Sequence, residues 1–221
     1  MNTLWVDSTY FSYSNKVKTL SGIFLKIDSG DIVGVLGRNG SGKTTLIKSI
    51  FGLLANDKGN VKINDTPIKR NHRWKYIGYL PEYSFLPSQI TVKQAIRLFY
   101  IKKEILDLFY KDDKLKDFIG RKIRNLSEGE KRYLEFLLIY NLERPFILFD
   151  EPFDKIEPKY IELLINKMKD KKDERGYLIS GHNYREITGV SNRLTILEDN
   201  SLLEISNNIN ELVKHNYIPH K

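Results

Sequence analysis

The chain has 221 residues, 41% hydrophobic and 29% charged, and its 36 Lys and Arg against 28 Asp and Glu give a net charge of +8. That composition fits a soluble globular domain long enough to bury its own core, and it excludes disordered, collagen-like and coiled-coil classes. The lack of cysteine excludes disulfides, thiolate metal sites and a cysteine nucleophile; no apolar run approaches the roughly 18 residues of a membrane span, and the opening MNTLWVDSTYF reads as no secretory signal.

Residues 3–28 alternate and are rich in Tyr, Phe, Val and Ile, which predicts antiparallel strands. Ser29-Gly30-Asp31 is a turn, and the apolar run 32–36 predicts a buried strand. A glycine-rich loop spans 37–42. Residues 44–54 then place Leu46, Ile47, Ile50, Leu53 and Leu54 at helical spacing. A hairpin is predicted over 59–68 around Asn64-Asp65, then a strand over 77–80 ended by Pro81.

After Pro87 the pattern turns helical. Thr91 can cap a helix running to about Tyr110, with Val92, Ala95, Ile96, Phe99, Ile105, Leu108 and Phe109 on its apolar side. A charged break follows at Lys111-Asp112-Asp113, and Leu134, Leu137, Leu138 and Leu142 mark a helix over 128–142. The remainder predicts a strand at 146–149, a helix at 158–172, a strand at 177–180, a closing hairpin from 193–197 and 202–205, and a short helix at 209–215. This order predicts a single α/β domain. Its core comprises 1–87 and 141–221 and carries an antiparallel β subdomain; a helical subdomain, 88–140, is inserted.

The basic surplus favours an acidic partner such as a nucleotide, a nucleic acid or an anionic membrane face. It is spread out, however: residues 102–124 hold eight basic against five acidic residues, and 167–175 hold five against three. The run Lys69, Arg70, Arg73, Lys75 reads as a solvated face. No basic–aromatic alternation marks a single-strand groove, and no nucleic-acid partner is expected.

Gly37-Arg38-Asn39-Gly40-Ser41-Gly42-Lys43-Thr44 matches the phosphate-loop pattern G-x-x-x-x-G-K-[ST], between a predicted strand and a predicted helix. Glycines let backbone N–H groups converge on phosphate oxygens at the positive end of a helix. Lys43 can then reach the β and γ phosphates of ATP, and the Thr44 hydroxyl can bind Mg²⁺. The pattern implies a P-loop NTPase core. Phe146-Ile147-Leu148-Phe149-Asp150-Glu151 is an apolar strand ending in two acids. Asp150 is expected in the magnesium shell, through water, and Glu151 as the general base for the attacking water.

Leu126-Ser127-Glu128-Gly129-Glu130 opens a helix and resembles the L-S-G-G-Q element of the ATP-binding cassette ATPases; taken alone it is also a capping box, Ser127 with Glu130. With the two motifs above, nearly the whole chain resembles that family. The resemblance implies a head-to-tail dimer around two ATP–Mg²⁺, in which Ser127 and Gly129 bind the γ-phosphate held by the other subunit. It implies that Asn39, Thr45 and the rest of the phosphate loop contact the nucleotide. Tyr13 is expected to stack on the adenine, with Tyr10 as a rival and sheet packing as the alternative for either. His182 corresponds to the histidine that contacts the γ-phosphate and orients Glu151. Phe153-Asp154-Lys155-Ile156-Glu157-Pro158 stands where the family has its dimer-contact loop. Leu-Ser-Glu-Gly-Glu-Lys-Arg at 126–132, Asp-Glu-Pro-Phe at 150–153 and Gly-His-Asn-Tyr-Arg-Glu at 181–186 are similar to the lipopolysaccharide-export and branched-chain amino-acid ATPases. A transporter subunit of this type would sit on the cytoplasmic face of the cell membrane beneath a separate polytopic subunit. Tyr83, Phe85, Leu86 and Phe99 are candidates to line the docking groove. The other class carried by the same motifs is a soluble assembly ATPase, as in iron–sulfur cluster biogenesis.

Glu82, in Ile77-Gly78-Tyr79-Leu80-Pro81-Glu82, occupies the position where the family has a metal-binding glutamine. Its carboxylate either joins the magnesium shell or is a solvated loop residue. In the first case it adds negative charge near the γ-phosphate. Glu82→Gln is then expected to keep the fold and raise ATPase activity a few-fold, since a charge effect of about 1 kcal/mol corresponds to roughly 5-fold. Turnover of the two purified proteins at matched Mg²⁺ checks this; equal rates would place Glu82 outside the metal shell.

Overall fold

The computed structural model describes residues 1–14, 17–55, 58–154, 156–206, 209–214 and 217. In chain order it runs β1 (Thr3–Ser14), β2 (Val17–Asp28), β3 (Ile32–Leu36), α1 (Lys43–Phe51), β4 (Lys58–Ile63), β5 (Thr66–Pro67) and β6 (Ile77–Leu80). Helices α2 (Val92–Phe99), α3 (Lys103–Lys111), α4 (Asp113–Lys116) and α5 (Glu128–Tyr140) follow. The chain continues as β7 (Phe146–Phe149), α6 (Pro158–Asp170), β8 (Gly176–Gly181), α7 (Tyr184–Val190), β9 (Arg193–Glu198), β10 (Ser201–Ile205) and α8 (Ile209–Lys214). The predicted end of the last helix, His215, lies outside the described residues.

Two sheets result. The antiparallel one has the order β2-β1-β4-β5. Period-two alternation gives it one buried face, formed by Leu4, Val6, Leu25, Ile27, Val61 and Ile63. Its β4–β5 turn sets Asn64 and Asp65 at φ 48° and 64°, a conformation that Asn and Asp tolerate better than most residues. The second sheet has the order β10-β9-β3-β8-β7-β6, parallel except for β10. Strands β3, β7 and β8 are buried along their whole length, as continuous apolar runs in a covered parallel sheet must be. Leu46, Ile47 and Ile50 of α1 and Leu134, Phe136, Leu137 and Leu138 of α5 bury their side chains in the two apolar clusters that include these strands.

The predicted helix to Tyr110 is two helices. Tyr100 is extended (φ −135°, ψ 132°) and ends α2. Its ring is buried 5.3 Å from that of Phe109, and its hydroxyl donates to the Leu138 carbonyl of α5. A buried tyrosine needs a partner for its hydroxyl, and the break supplies one. Leu108 consequently faces solvent rather than the core. The structure also adds α7 and a 3₁₀ turn at Arg70–Lys75, which the hydrophobic pattern did not mark. Within that turn Arg73 is buried, not solvated. Its guanidinium donates to the Ser49 carbonyl (2.8 Å) and the Ile50 carbonyl (3.3 Å), capping the C-terminal end of α1.

Candidate active site

Strands β3, β6, β7 and β8 end on one edge of the parallel sheet. Their register pairs Leu36 with Gly181, Leu80 with Phe149, and Phe149 with Ile179. The next residues along the four strands are Gly37, Pro81, Asp150 and His182. The crevice beyond the carboxyl ends of such strands is where open α/β sheets bind ligands. A cavity of about 720 Å³ lies there, lined by Tyr13, Thr19, Asn39, Gly40, Gly42, Lys43, Thr44, Thr45, Glu82, Glu151, Asp154 and His182.

The phosphate loop opens α1. Gly42 stands at the N-cap with φ 105°, a geometry that penalises any side chain and that turns the loop into the helix. Lys43 is the first helical residue, and its ammonium is nearly buried. It donates to the carbonyls of Gly37 (2.8 Å) and Arg38 (3.3 Å) and pairs with Glu151 Oε1 at 3.2 Å. Gly37 and Ser41 lie behind the loop, where the Ser41 hydroxyl is buried without a hydrogen-bond partner among the described residues. Of the two tyrosines, Tyr13 borders the cavity. Its hydroxyl lies 3.1 Å from Thr45 Oγ1, and its exposed ring meets the edge of Phe11. Tyr10 is not part of the lining.

The acidic pair has two different environments. Asp150 is fully buried. Thr44 Oγ1 (3.1 Å) and Ser180 Oγ (2.9 Å) donate to its Oδ1, and the Tyr79 hydroxyl donates to Oδ2 at 3.4 Å. Burial pushes its carboxyl up; the Ser180 and Thr44 hydroxyls oppose this, and the charges of Glu82 and Glu151 add to it. Such a carboxyl beside a hydroxyl and further acids is a hard oxygen donor set, which fits Mg²⁺. Glu151 has φ 48°, uncommon for a non-glycine residue and characteristic of functional sites. Its N–H donates to Ser180 Oγ (3.0 Å), and its Oε2 lies 2.8 Å from His182 Nδ1. The carboxylate is therefore held between Lys43 and His182.

Sequence reasoning missed what holds these loops. Arg132, on α5, is buried and donates to four carbonyls: Pro81 (2.6 Å), Asp150 (2.8 Å), Glu151 (3.2 Å) and Pro152 (3.4 Å). Glu135, one turn on and equally buried, lies 3.6 Å from it. The Glu135 carboxylate also accepts from the Ser84 hydroxyl and from the Phe85 N–H (3.2 Å). One ion pair thus ties α5 both to the Glu82 loop and to the Asp150–Glu151 turn. The available signal was a charged pair at i, i+3 in the run 132–140, whose other residues are apolar or aromatic.

Neither Ser127 nor Gly129 lines the cavity. Ser127 caps α5 in a reciprocal capping box with Glu130 (3.1 and 2.8 Å), and Glu130 also pairs with Arg121. Gly129 is buried against Tyr160 of α6, where an added Cβ would meet the ring at 2.9 Å. Glu157 precedes α6 beside it; Lys155 lies outside the described residues.

Fold and site together define a P-loop nucleotide-binding ATPase. Residues 20–154 match the ABC transporter family, and the chain belongs to that family as an ATP-binding, ATP-hydrolysing member. It is 32% identical over 207 residues to the ABC transporter ATP-binding protein YtrB of Bacillus subtilis, covering 91% of this chain and 70% of that one. It is 30% identical over 211 residues to the lipopolysaccharide export system ATP-binding protein LptB of Haemophilus influenzae, covering 89% and 87%. Among solved structures, the ATP-binding subunit of an ABC transporter superposes with a TM-score of 0.83 at 22% identity, covering 96% of this chain and 92% of that one, which shows the shared fold.

Arg132→Met keeps the volume of the side chain but strands four carbonyls and the buried Glu135. Breaking one partner of a buried pair costs about 3–5 kcal/mol, so urea unfolding should show a loss of that order. A loss within about 0.5 kcal/mol, as for a surface change, would refute the clamp.

Proposed function

We propose that this chain is the ATP-hydrolysing subunit of a membrane transporter and that it works as a head-to-tail dimer. The observation that carries this is the division of the motifs. The phosphate loop, Asp150, Glu151 and His182 converge on one cavity, while the Ser127 helix end stands outside it. Within one chain that helix end is closed by the capping box with Glu130; a second copy facing head to tail would bring a γ-phosphate to the Ser127 hydroxyl and the positive end of the helix. Each composite site would then take Lys43, Thr44, Asp150, Glu151 and His182 from one chain and Ser127 and Gly129 from the other.

The chemistry follows from the geometry. Tyr13 offers a ring at the cavity mouth for the adenine. Gly40, Gly42 and Asn39 present the loop, and Lys43 its ammonium, to the phosphates. Thr44 and Asp150 would hold Mg²⁺, with Glu82 at the margin; the ion, when bound, neutralises charge on the β and γ phosphates. Anionic phosphate competes with Glu151 for Lys43 and so frees Oε1. Glu151 can then take the proton of the attacking water while His182 keeps the carboxylate oriented on Oε2. ATP bound from both sides closes the dimer, and loss of phosphate reopens it.

The transport role is supported by the relatives, which are named as ATP-binding proteins of transport and lipopolysaccharide-export systems. Among the described residues no helix is long and apolar enough to cross a membrane. By likeness to those relatives the chain would work with a separate polytopic subunit on the cytoplasmic membrane face. Tyr83 and Phe99 are exposed and available to such a subunit, with Leu98 and Ile101 beside Phe99 in the chain; Leu86, expected in that groove, is instead buried in the core.

Glu151→Gln should retain ATP binding and lose turnover by about 100-fold or more, the scale of general-base catalysis. Wild-type turnover would remove Glu151 as the base. For the dimer, Lys43→Ala and Ser127→Arg chains are each expected to be inactive. Their heterodimer holds one doubly defective and one intact site, so mixing should restore part of the activity. No recovery in verified heterodimers would argue against composite sites.

A further inference from the structure

The β3–β8 ladder makes its last pair at Leu36 and Gly181. Beyond it the strands part, one into the phosphate loop at Gly37 and the other into the turn carrying His182. At such a split the backbone N–H of one strand and the C=O of the other lose each other as partners, and both must be satisfied elsewhere. A tyrosine near the end of the chain does so. The Tyr217 hydroxyl donates to the His182 carbonyl at 2.7 Å, and the Gly37 backbone N–H donates to the same hydroxyl. A hydroxyl is one of the few groups that can donate and accept at a single atom, so it replaces one rung of the ladder.

The hydroxyl is itself anchored. The Tyr217 N–H donates to the Leu212 carbonyl of α8 at 2.8 Å, and the Leu212 side chain is buried in the core. The Tyr217 ring packs against the same cluster and, with Gly37 and Ser41, borders a second cavity of about 280 Å³ behind the phosphate loop. Burial pushes the hydroxyl up to about 12, so it remains a proton donor throughout the neutral range.

We propose that Tyr217 is a positioning residue for ATP hydrolysis: its hydroxyl fixes the separation of the phosphate loop and the His182 turn, and through His182 it orients Glu151. The geometric basis is short. Tyr217 holds the His182 backbone, and the His182 side chain lies 2.8 Å from the Glu151 carboxylate, whose other oxygen pairs with Lys43 on α1, six residues after Gly37. The hydroxyl therefore closes a ring of contacts around the reacting region from behind. Tyr217 is not among the residues that line the cavity of about 720 Å³ and is not itself a catalytic residue. This inference rests on the reading of Glu151 as base and His182 as its partner.

Tyr217→Phe keeps the ring and its packing and removes only the oxygen. In the purified chain with ATP and Mg²⁺ it should lower kcat by about 3- to 10-fold, the scale of one lost hydrogen bond. KM for ATP should stay close to wild type, and the thermal midpoint should fall by only the few degrees that one lost hydrogen bond costs a chain of this size. His182→Ala should lower kcat further, and adding Tyr217→Phe to it should change nothing more, because the group it acts through is gone. An unchanged kcat for Tyr217→Phe, or the same fractional loss in the His182→Ala background, would overturn the inference while leaving the reading of the site intact. Full turnover in His182→Ala would instead overturn that reading and the role of Tyr217 with it.

Discussion

Parallel pairing in register is the constraint on which the site depends. Strands β6, β7, β8 and β3 are hydrogen-bonded side by side and run the same way, so they reach the same edge of the sheet together. Four loops far apart in sequence are thereby set next to one another. The strands can be short because each is buried, and an apolar run of four to six residues is enough to hold it. The same constraint creates a cost. Where parallel strands end and diverge, backbone donors and acceptors come apart in a region that excludes water.

The polar side chains around the cavity answer that cost. Arg132 takes up the carbonyls at the ends of β6 and β7, and Ser180 Oγ accepts the Glu151 N–H and donates to Asp150. Both work on backbone as well as side chains, which explains how Glu151 can be held at a positive φ that costs roughly 1–3 kcal/mol. Such a strained residue persists only when its surroundings over-determine it. Here the backbone is gripped by Arg132 and Ser180 and the carboxylate by Lys43 and His182. The buried guanidinium is itself costly, but its hydrogen bonds and the nearby Glu135 offset the desolvation.

Electrostatics at the cavity run against the net charge of the chain. The lining holds Glu82, Glu151 and Asp154 around Lys43, with Asp150 buried beneath; burial first, and then the charges of Glu82 and Glu151, push the Asp150 carboxyl up. Acids gathered in this way fit a bound cation better than a bare anion. The basic surplus lies elsewhere, and part of it is structural: Arg73 caps α1, and the Arg175 side chain donates to the Tyr140 and Leu142 carbonyls at the end of α5.

His182 was marked only by the family resemblance, but the sequence by itself determined the strands β3, β6, β7 and β8, the phosphate loop and the acidic strand end. Each is written in contiguous residues, as an apolar run, a glycine spacing or a charge at a strand end, and local backbone physics reads such patterns directly. It also separated the capping box at Ser127 from the phosphate loop. The tertiary structure alone decided which tyrosine borders the cavity, why the helix after Thr91 breaks at Tyr100, and that Arg73 and Arg132 are buried. It likewise decided that Tyr217 joins Gly37 to His182. In every one of these cases the side chain serves a partner 18 or more residues away in sequence, a carbonyl or a hydroxyl. No window of neighbouring residues contains that partner. Only the packing of strands and helices brings the two together, and where the polar atom is buried such a partner offsets the cost of leaving water.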